Sequence, residues 1–381
     1  MPPIAPPLFF NQNIQIYRGL AIIFVFLHHL SLTPLVLSRI NPAFSMPFWV
    51  GVELFFMISG YVIGSTAIYG ARVSSASNFL IRRVFRIYPN LIFFFLFTAL
   101  INLYLLSLPF SNWGRTNLAV SWDTFLREFL HISTATLDLS VNRSYQNTVL
   151  WSLVVELQFY FAIFILLLIF KKLPTEFVKK FLLKVSFTLV FIMIITRILR
   201  YFNDFEVFSF FNYMLSNKFD FLLAGFCIAG MRNPVKKQVK IPPTVILILV
   251  ILAIGSSEPI YPANSGRVLN SFTLVFVMCC FIFLLFCATH ESYIRRRNTL
   301  IRRFFSHIGD LSYSIFLYQF PVFAVFWLMI NRFFPQVFSS NNGWTFSILQ
   351  LLFCAPATYW VSKFSYQRIE VRFISIGKNS F

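Results

Sequence analysis

The sequence predicts an all-α membrane protein, a polytopic bundle of about ten transmembrane helices with both termini in the cytoplasm. Only 12% of its 381 residues are charged and 58% are hydrophobic, which is too apolar for a soluble domain of this size. The apolar residues fall into stretches that are long enough to cross a bilayer. Positive charges gather in alternate connections between these stretches. We therefore expect a single membrane domain over residues 1–381, with no appended soluble domain.

The predicted spans follow the hydropathy of the chain. They lie at about 19–38, 47–66, 88–108, 148–170, 181–199, 207–230, 243–258, 272–290, 311–331 and 345–362. The sixth span contains Lys218 and Asp220, together with two asparagines. Because charges are costly in hydrocarbon, this span is expected to face the bundle interior or to be broken.

Charge supports this topology. With a cytoplasmic N-terminus, 23 lysines and arginines lie in the inside segments and 8 in the outside segments. The net charge of +19 is then a topology signal, and no nucleic-acid partner is expected. The five cysteines lie in apolar segments without the spacing of a zinc site, so no metal is expected either.

The first span carries an arginine near its start and a histidine within it. Arg18 and His29 are eleven residues apart, which in a helix places them within roughly 20° of the same face and separates them by roughly 16 Å. His28 points elsewhere. This arrangement would suit a molecule that enters with a charged head at the membrane surface and a reactive tail directed inward.

Three ionisable residues are expected at similar depths in the outer half of the membrane. Counted from the outer helix ends, His29 lies roughly 13 Å deep, Glu53 roughly 9 Å and Glu156 roughly 12 Å. A histidine near a carboxylate can act as a general base in acyl transfer to a hydroxyl, with its tautomer fixed. The alternative is that each residue only forms hydrogen bonds between helices.

Two further segments combine chemistry with packing. Arg83 and Arg86 lie on one helical face and could clamp phosphates, although such basic clusters also serve as topology signals. Gly51, Gly60 and Gly64 should let helices approach closely around Glu53.

Five motifs in order resemble the acyltransferase 3 family, which comprises integral membrane acyltransferases that modify cell-envelope carbohydrates in bacteria. The motifs are Arg18-x10-His29, Gly51-Val-Glu-Leu-Phe-Phe-Met-Ile-Ser-Gly60, Arg82-Arg83-x-x-Arg86-x-Tyr-Pro89, Trp151-Ser-Leu-x-x-Glu156-x-x-Phe-Tyr160 and Leu311-Ser-Tyr-Ser-Ile-Phe-Leu-Tyr318. The resemblance implies that acetyl-CoA, or another acyl-CoA, approaches from the cytoplasm. The acyl group then passes to a sugar hydroxyl at the outer side.

The resemblance also implies roles for individual residues. His29 resembles the family's essential histidine, Arg18 its paired arginine and Glu156 its fourth-span glutamate. Arg83 and Arg86 resemble its Arg-x-x-Arg cations. The chain departs from the family in two respects: many relatives have a histidine near the position of Gln319, and the longer relatives carry a C-terminal hydrolase-like domain.

We therefore expect an O-acyltransferase of the bacterial inner membrane that acts on a surface or exported polysaccharide, lipopolysaccharide or glycolipid. His29, Glu156 and Glu53 are the predicted catalytic residues, and Arg18, Arg83 and Arg86 the predicted acyl-CoA-binding residues. The expected partners are acyl-CoA, an envelope glycan and the lipid bilayer, with a homodimer left open. The alternative function is a transporter or flippase of lipid-linked sugars or small solutes, which would usually show two related halves with paired broken helices. A scaffold role would leave His29 and Glu156 unexplained.

Overall fold

The structure is a computed structural model. The described residues are 12–31, 48–69, 76–107, 122, 126–127, 150–173, 175–202, 218–231, 275–286, 299–334 and 343–379. All regular structure within these ranges is helical, without a strand. This confirms the predicted all-α class.

The described ranges contain the following principal helices in chain order. They are α1 (Gln12–Ser31), α2 (Val50–Tyr69), α3 (Ala76–Ser107), α4 (Leu150–Ile169), α5 (Thr175–Phe202), α6 (Phe219–Gly230), α7 (Val275–Phe286), α8 (Leu300–Asp310), α9 (Ser312–Phe333), α10 (Gly343–Ser365) and α11 (Val371–Asn379). A π-helical turn, Tyr366–Glu370, connects α10 to α11.

Fewer helices than the ten predicted are long and apolar enough to cross a membrane. Within the described ranges there are five: α2, α3, α4, α5 and α9. Helices α1 and α10 have the length, but polar residues along them lower their hydropathy. Helices α6 and α7 are apolar but shorter. The predicted span 243–258 lies outside the described residues.

The chain forms two compact units. The first comprises Met1–Val25, Pro42–Ala76 and Ile165–Asp310, and so contains most of α1 together with α2 and α5 to α8. The second comprises Phe26–Asn41, Ser77–Phe164 and Leu311–Phe381, and so contains the end of α1 together with α3, most of α4 and α9 to α11.

Glycines bring helices of the first unit into backbone contact. A Cβ atom at Gly60 of α2 would overlap the Leu222 carbonyl of α6, and one at Gly225 of α6 would overlap the Met57 carbonyl of α2. The close approach predicted from the small residues of α2 is thus confirmed. All twelve residues of α6 are buried. This helix is the centre of the first unit.

A second glycine contact joins the start of α1 to α8. A Cβ atom at Gly19 would overlap the Phe305 carbonyl, and one at Gly309 would overlap the Gln15 carbonyl. Near this crossing, Arg302 donates a hydrogen bond to the Asn13 side chain at 2.8 Å. The position of Arg18 on α1 is therefore determined by contacts with α8.

The second unit combines an apolar cluster with a buried polar network. The apolar cluster includes Phe26 of α1, Phe323 and Trp327 of α9, and Cys354 of α10. The network is centred on Asn90 of α3, which is fully buried. Because Asn90 forms hydrogen bonds with Ser314 and Tyr318 of α9 and with Ser365 of α10, the network aligns α3, α9 and α10.

Candidate functional site

His29 lies in an aromatic environment within the second unit. Its side chain is 9% exposed. The ring of Phe320 in α9 meets the imidazole edge to face, with 4.8 Å between the ring centroids. The His28 ring lies beside it, with 5.6 Å between centroids. Burial and the packed ring of Phe320 keep water from the imidazole.

Gln319 is the second residue of α9 that interacts with His29. It is fully buried, and its Nε2 donates a hydrogen bond to the Phe316 carbonyl at 3.1 Å. Its side chain interacts with the His29 imidazole. Gln319 Oε1 and His29 Nδ1 are both buried, and neither forms a hydrogen bond of standard geometry within the described residues. The two side chains therefore lie next to each other in the second unit.

The two predicted phosphate-binding arginines of α3 lie in a second polar cluster. Arg83 is 8% exposed, and its guanidinium carbon lies 5.1 Å from the centre of the Tyr160 ring. Arg83 and Arg86 both interact electrostatically with Tyr160 and Glu156 of α4. The Tyr160 hydroxyl donates a hydrogen bond to the Glu156 carboxylate. The fold thus brings Arg83, Arg86 and Glu156 together.

The same cluster contains a carboxylate that the sequence did not reveal. Glu370, in the π-helical turn, is 4% exposed and interacts electrostatically with Arg86. Its carboxylate accepts a hydrogen bond from Ser314 at 3.0 Å, and Ser314 Oγ in turn accepts one from Asn90 Nδ2 at 3.1 Å. The cluster therefore contains two arginines and two carboxylates, those of Glu156 and Glu370. Hydropathy could not reveal Glu370, because it follows the last predicted span.

Asn90 links two of the family-like motifs. Its Oδ1 accepts hydrogen bonds from Tyr318 at 3.1 Å and from Ser365 at 2.6 Å. The Tyr313 hydroxyl donates to the Ile87 carbonyl at 2.9 Å. The segment from Leu311 to Tyr318 thus packs against α3 immediately after Arg86. The serines and tyrosines of this segment are visible in the sequence as a polar motif. Their hydrogen-bond partners on α3 were not predicted.

The predicted catalytic residues of the second unit have different immediate partners. His29 contacts residues of α1 and α9, whereas Glu156 contacts residues of α3 and α4. The pairing of Glu156 with His29 stays a prediction. Arg18 and His29 do lie on one continuous helix, α1, as their spacing predicts.

Glu53, the third predicted catalytic residue, belongs to the first unit. It is fully buried and pairs with Lys218, the residue that precedes α6. The Lys218 ammonium also lies 4.9 Å from the centre of the Trp49 ring. Lys218 has a φ of 59°, an unfavourable backbone conformation for a lysine. Backbone strain of this kind persists only where surrounding contacts determine it, and the ion pair provides such a contact.

A second buried ion pair supports the start of α6. Arg197 of α5 donates to both carboxylate oxygens of Asp220, at 2.6 Å and 3.1 Å. Arg197 is 6% exposed and Asp220 is fully buried. The two charged residues described in the sixth predicted span, Lys218 and Asp220, therefore pair with buried partners inside the first unit, as predicted. The bidentate geometry of the Arg197 and Asp220 pair offsets the cost of burying it.

Arg18 lies near an acidic residue in the first unit. It donates a hydrogen bond to Gln15 at 3.4 Å and interacts with Asp310 at the end of α8. Partial burial raises the pKa of Asp310, while Arg18 and His307 oppose that rise. An anion that binds Arg18 would therefore lie near the Asp310 carboxyl group, which burial makes less readily ionised. Within the described residues, no cluster of His, Cys, Asp or Glu could hold a metal ion.

Comparison with known families identifies the class of the chain. The acyltransferase 3 family, described as an acyltransferase domain, matches residues 11–366, nearly the whole chain. Neither the comparison with curated proteins nor that with solved structures gives a match. The match includes all six predicted site residues and ends four residues before Glu370. The chain therefore belongs to the acyltransferase 3 family and is an acyltransferase with apolar helices suited to a membrane.

Proposed function

We propose that the protein is an O-acyltransferase that transfers an acyl group, most simply acetyl, from cytoplasmic acyl-CoA to a sugar hydroxyl of an envelope glycan. The observation that carries this proposal is the position of His29, the histidine that resembles the family's essential one. It is buried with the Phe320 ring packed against it, and its Nδ1 makes no standard hydrogen bond within the described residues. A buried imidazole of this kind suits proton abstraction from an alcohol.

The topology of the proposal is a bundle of ten helices in the bacterial inner membrane, with both termini in the cytoplasm. The five long apolar helices support the membrane location. The distribution of lysine and arginine supports the orientation. Acyl-CoA would then arrive from the cytoplasm, and the glycan would be acylated at the outer side.

Two separate groups of arginine are the candidates to bind phosphates of acyl-CoA. Arg18 lies in the first unit, and Arg83 and Arg86 lie in the second. Arginine suits this role because its planar guanidinium binds phosphate in bidentate fashion. In the second unit, a phosphate would compete with Glu156 and Glu370 for the two arginines. For acyl-CoA to bind in the second unit, the two arginines must therefore give up a carboxylate partner and pair with a phosphate of acyl-CoA.

His29 performs the proton transfer of the proposed reaction. It removes the proton of the sugar hydroxyl while the oxygen attacks the thioester carbonyl, and the CoA thiolate then leaves and is protonated. The products are a sugar ester and free CoA. A route in which His29 first carries the acyl group gives the same products. Glu156 positions Arg83 and Arg86, and Glu53 anchors Lys218.

The test is the O-acetyl content of envelope polysaccharides, measured by NMR before and after mild alkali. Cells that lack the protein are compared with cells restored with wild type, His29→Ala or His28→Ala. We expect acetyl esters to vanish in the deletion and to return with wild type but not with His29→Ala. His28→Ala is the matched control and should lose much less activity.

Two outcomes would contradict the proposal. An acetyl pattern that never changes, with a fall in total surface glycan, would favour a transporter of lipid-linked sugars. Full activity of His29→Ala in correctly inserted protein would remove His29 from the reaction.

A further inference from the structure

The side chain that orients the His29 ring lies in the same unit as His29, the second unit. A histidine base needs an acceptor for one ring N–H, because that hydrogen bond decides which nitrogen keeps its lone pair. The sequence suggests a carboxylate for this role, but Glu156 is engaged with Tyr160 and two arginines, and Glu53 with Lys218. Of the side chains around the His29 imidazole, the one with a hydrogen-bond acceptor directed to it is that of Gln319.

The side-chain amide of Gln319 has its nitrogen engaged in a hydrogen bond and its oxygen available. Its Nε2 donates to the Phe316 carbonyl one helical turn earlier, which fixes the direction of the amide. Its Oε1 is buried without a standard hydrogen bond within the described residues, as is His29 Nδ1. An amide oxygen is an acceptor only, and an imidazole N–H is a donor. The two atoms that lack partners are therefore complementary.

The surroundings favour this pairing. Phe320, the next residue in α9, packs its ring against the imidazole and limits its rotation. His28 is the other titratable group that interacts with His29. In catalytic sites without substrate, such hydrogen bonds are often long and shorten in the complex.

We propose that Gln319 is a positioning residue, whose Oε1 accepts a hydrogen bond from Nδ1–H of His29 and leaves Nε2 as the base. The inference rests on the proposed function, since it assigns an orienting partner to the histidine of that reaction. A neutral amide performs this task in other nucleophile and histidine pairs. The Gln319 amide would hold His29 in the Nδ1–H tautomer without placing a negative charge in the buried environment of the ring.

The first test does not depend on activity. The chain contains five histidines, so the protein labelled with nitrogen-15 in histidine has few ring signals, and the His29→Ala variant identifies those of His29. We expect the Nδ1–H tautomer at His29 in wild type. Gln319→Met should shift the ring toward the Nε2–H tautomer. An Nε2–H tautomer in wild type, or no change in Gln319→Met, would overturn the inference.

The second test uses the kinetics of the purified full-length protein. Gln319→Met should lower kcat about 10- to 100-fold with little change in the KM for acetyl-CoA, because the lost contact orients the base and not the donor. Gln350→Met is the matched control, since Gln350 is also fully buried in this unit. Equal losses in the two variants would refute a specific role for Gln319.

A third variant separates orientation from packing. Gln319→Glu keeps the acceptor and adds charge, so the acid limb of the kcat/KM profile should move to higher pH by about one unit or more. A profile that does not move would contradict direct contact with His29. If wild type shows the Nδ1–H tautomer but transfers no acyl group, the proposed function fails and the orientation by Gln319 stands.

Discussion

The carboxylate of Glu370 accepts a hydrogen bond from the hydroxyl of Ser314 at 3.0 Å, across 56 residues of the chain. Ser314 belongs to the segment that resembles the last family motif, whereas Glu370 follows the end of the family match. Glu370 also faces Arg86, which already interacts with Glu156. The electrostatic balance around the two arginines of α3 therefore depends on a residue outside the matched region.

Glu370→Gln should destabilise the protein. Arg86 would keep Glu156 as a carboxylate partner but lose Glu370, and an imperfectly paired buried charge costs about 1–3 kcal/mol. We expect a lower midpoint of thermal unfolding in detergent. Gln367→Ala, at an exposed position in the same π-helical turn, is the control and should leave the midpoint unchanged. An unchanged midpoint in Glu370→Gln would show that Arg86 does not depend on Glu370.

Tyr160→Phe should separate the two contacts of Tyr160. Phenylalanine keeps the ring that Arg83 contacts but removes the hydroxyl that donates to Glu156. If Glu156 acts as proposed, loss of this one hydrogen bond should slow acyl transfer about 10-fold. Glu156→Gln, measured in parallel, should abolish transfer without loss of membrane insertion. Wild-type rates in Tyr160→Phe would mean that the hydroxyl does not position Glu156.

Gly225→Ala should disrupt the first unit. The new methyl group would overlap the Met57 carbonyl, and backbone cannot move aside as a side chain can. Overpacking of this kind costs about 1–3 kcal/mol or more, which thermal unfolding would detect. Gly230→Ala is the matched variant on the same helix, because its methyl group would meet only the end of the Leu183 side chain. Equal destabilisation by the two variants would contradict backbone contact at Gly225.

The Arg197 and Asp220 pair should behave as a unit. Arg197→Met leaves a buried carboxylate without its cation, and breaking a buried pair in this way costs about 3–5 kcal/mol. The double variant Arg197→Met/Asp220→Leu replaces both charges by apolar groups and should recover most of the lost stability. Thermal unfolding of the two single variants and the double variant measures the coupling. Additive losses would show that the two residues do not depend on each other.

The sequence predicted the parts of the fold that depend on local composition. Helices α2, α4 and α9 lie close to the predicted spans, because their apolar residues are continuous. Helix α3 begins at Ala76, well before the predicted start near residue 88. The arginines before Pro89 made that segment look like a polar connection. In the folded protein, Arg83 is buried by contacts with α4 that hydropathy cannot reveal.

The candidate site was predicted in part. The spacing of Arg83 and Arg86 on one helical face indicated that they act together, and both interact with Glu156. The contacts of His29 with Gln319 and of Arg86 with Glu370 were not predicted. They join positions about 290 residues apart in sequence, and only helix packing decides such pairs. Depth in a membrane, the quantity that hydropathy provides, leaves the neighbours of a helix undetermined.

The complete burial of α6 has a consequence for biosynthesis. This helix carries Asp220, and Lys218 precedes it, so it would be poorly accepted by lipid on its own. The residues that compensate these charges, Glu53 and Arg197, are both translated before it. Helices α2 and α5 can therefore leave the ribosome first and receive α6 as it emerges. When Lys218 and Asp220 are inserted, their partners Glu53 and Arg197 have therefore already been synthesised.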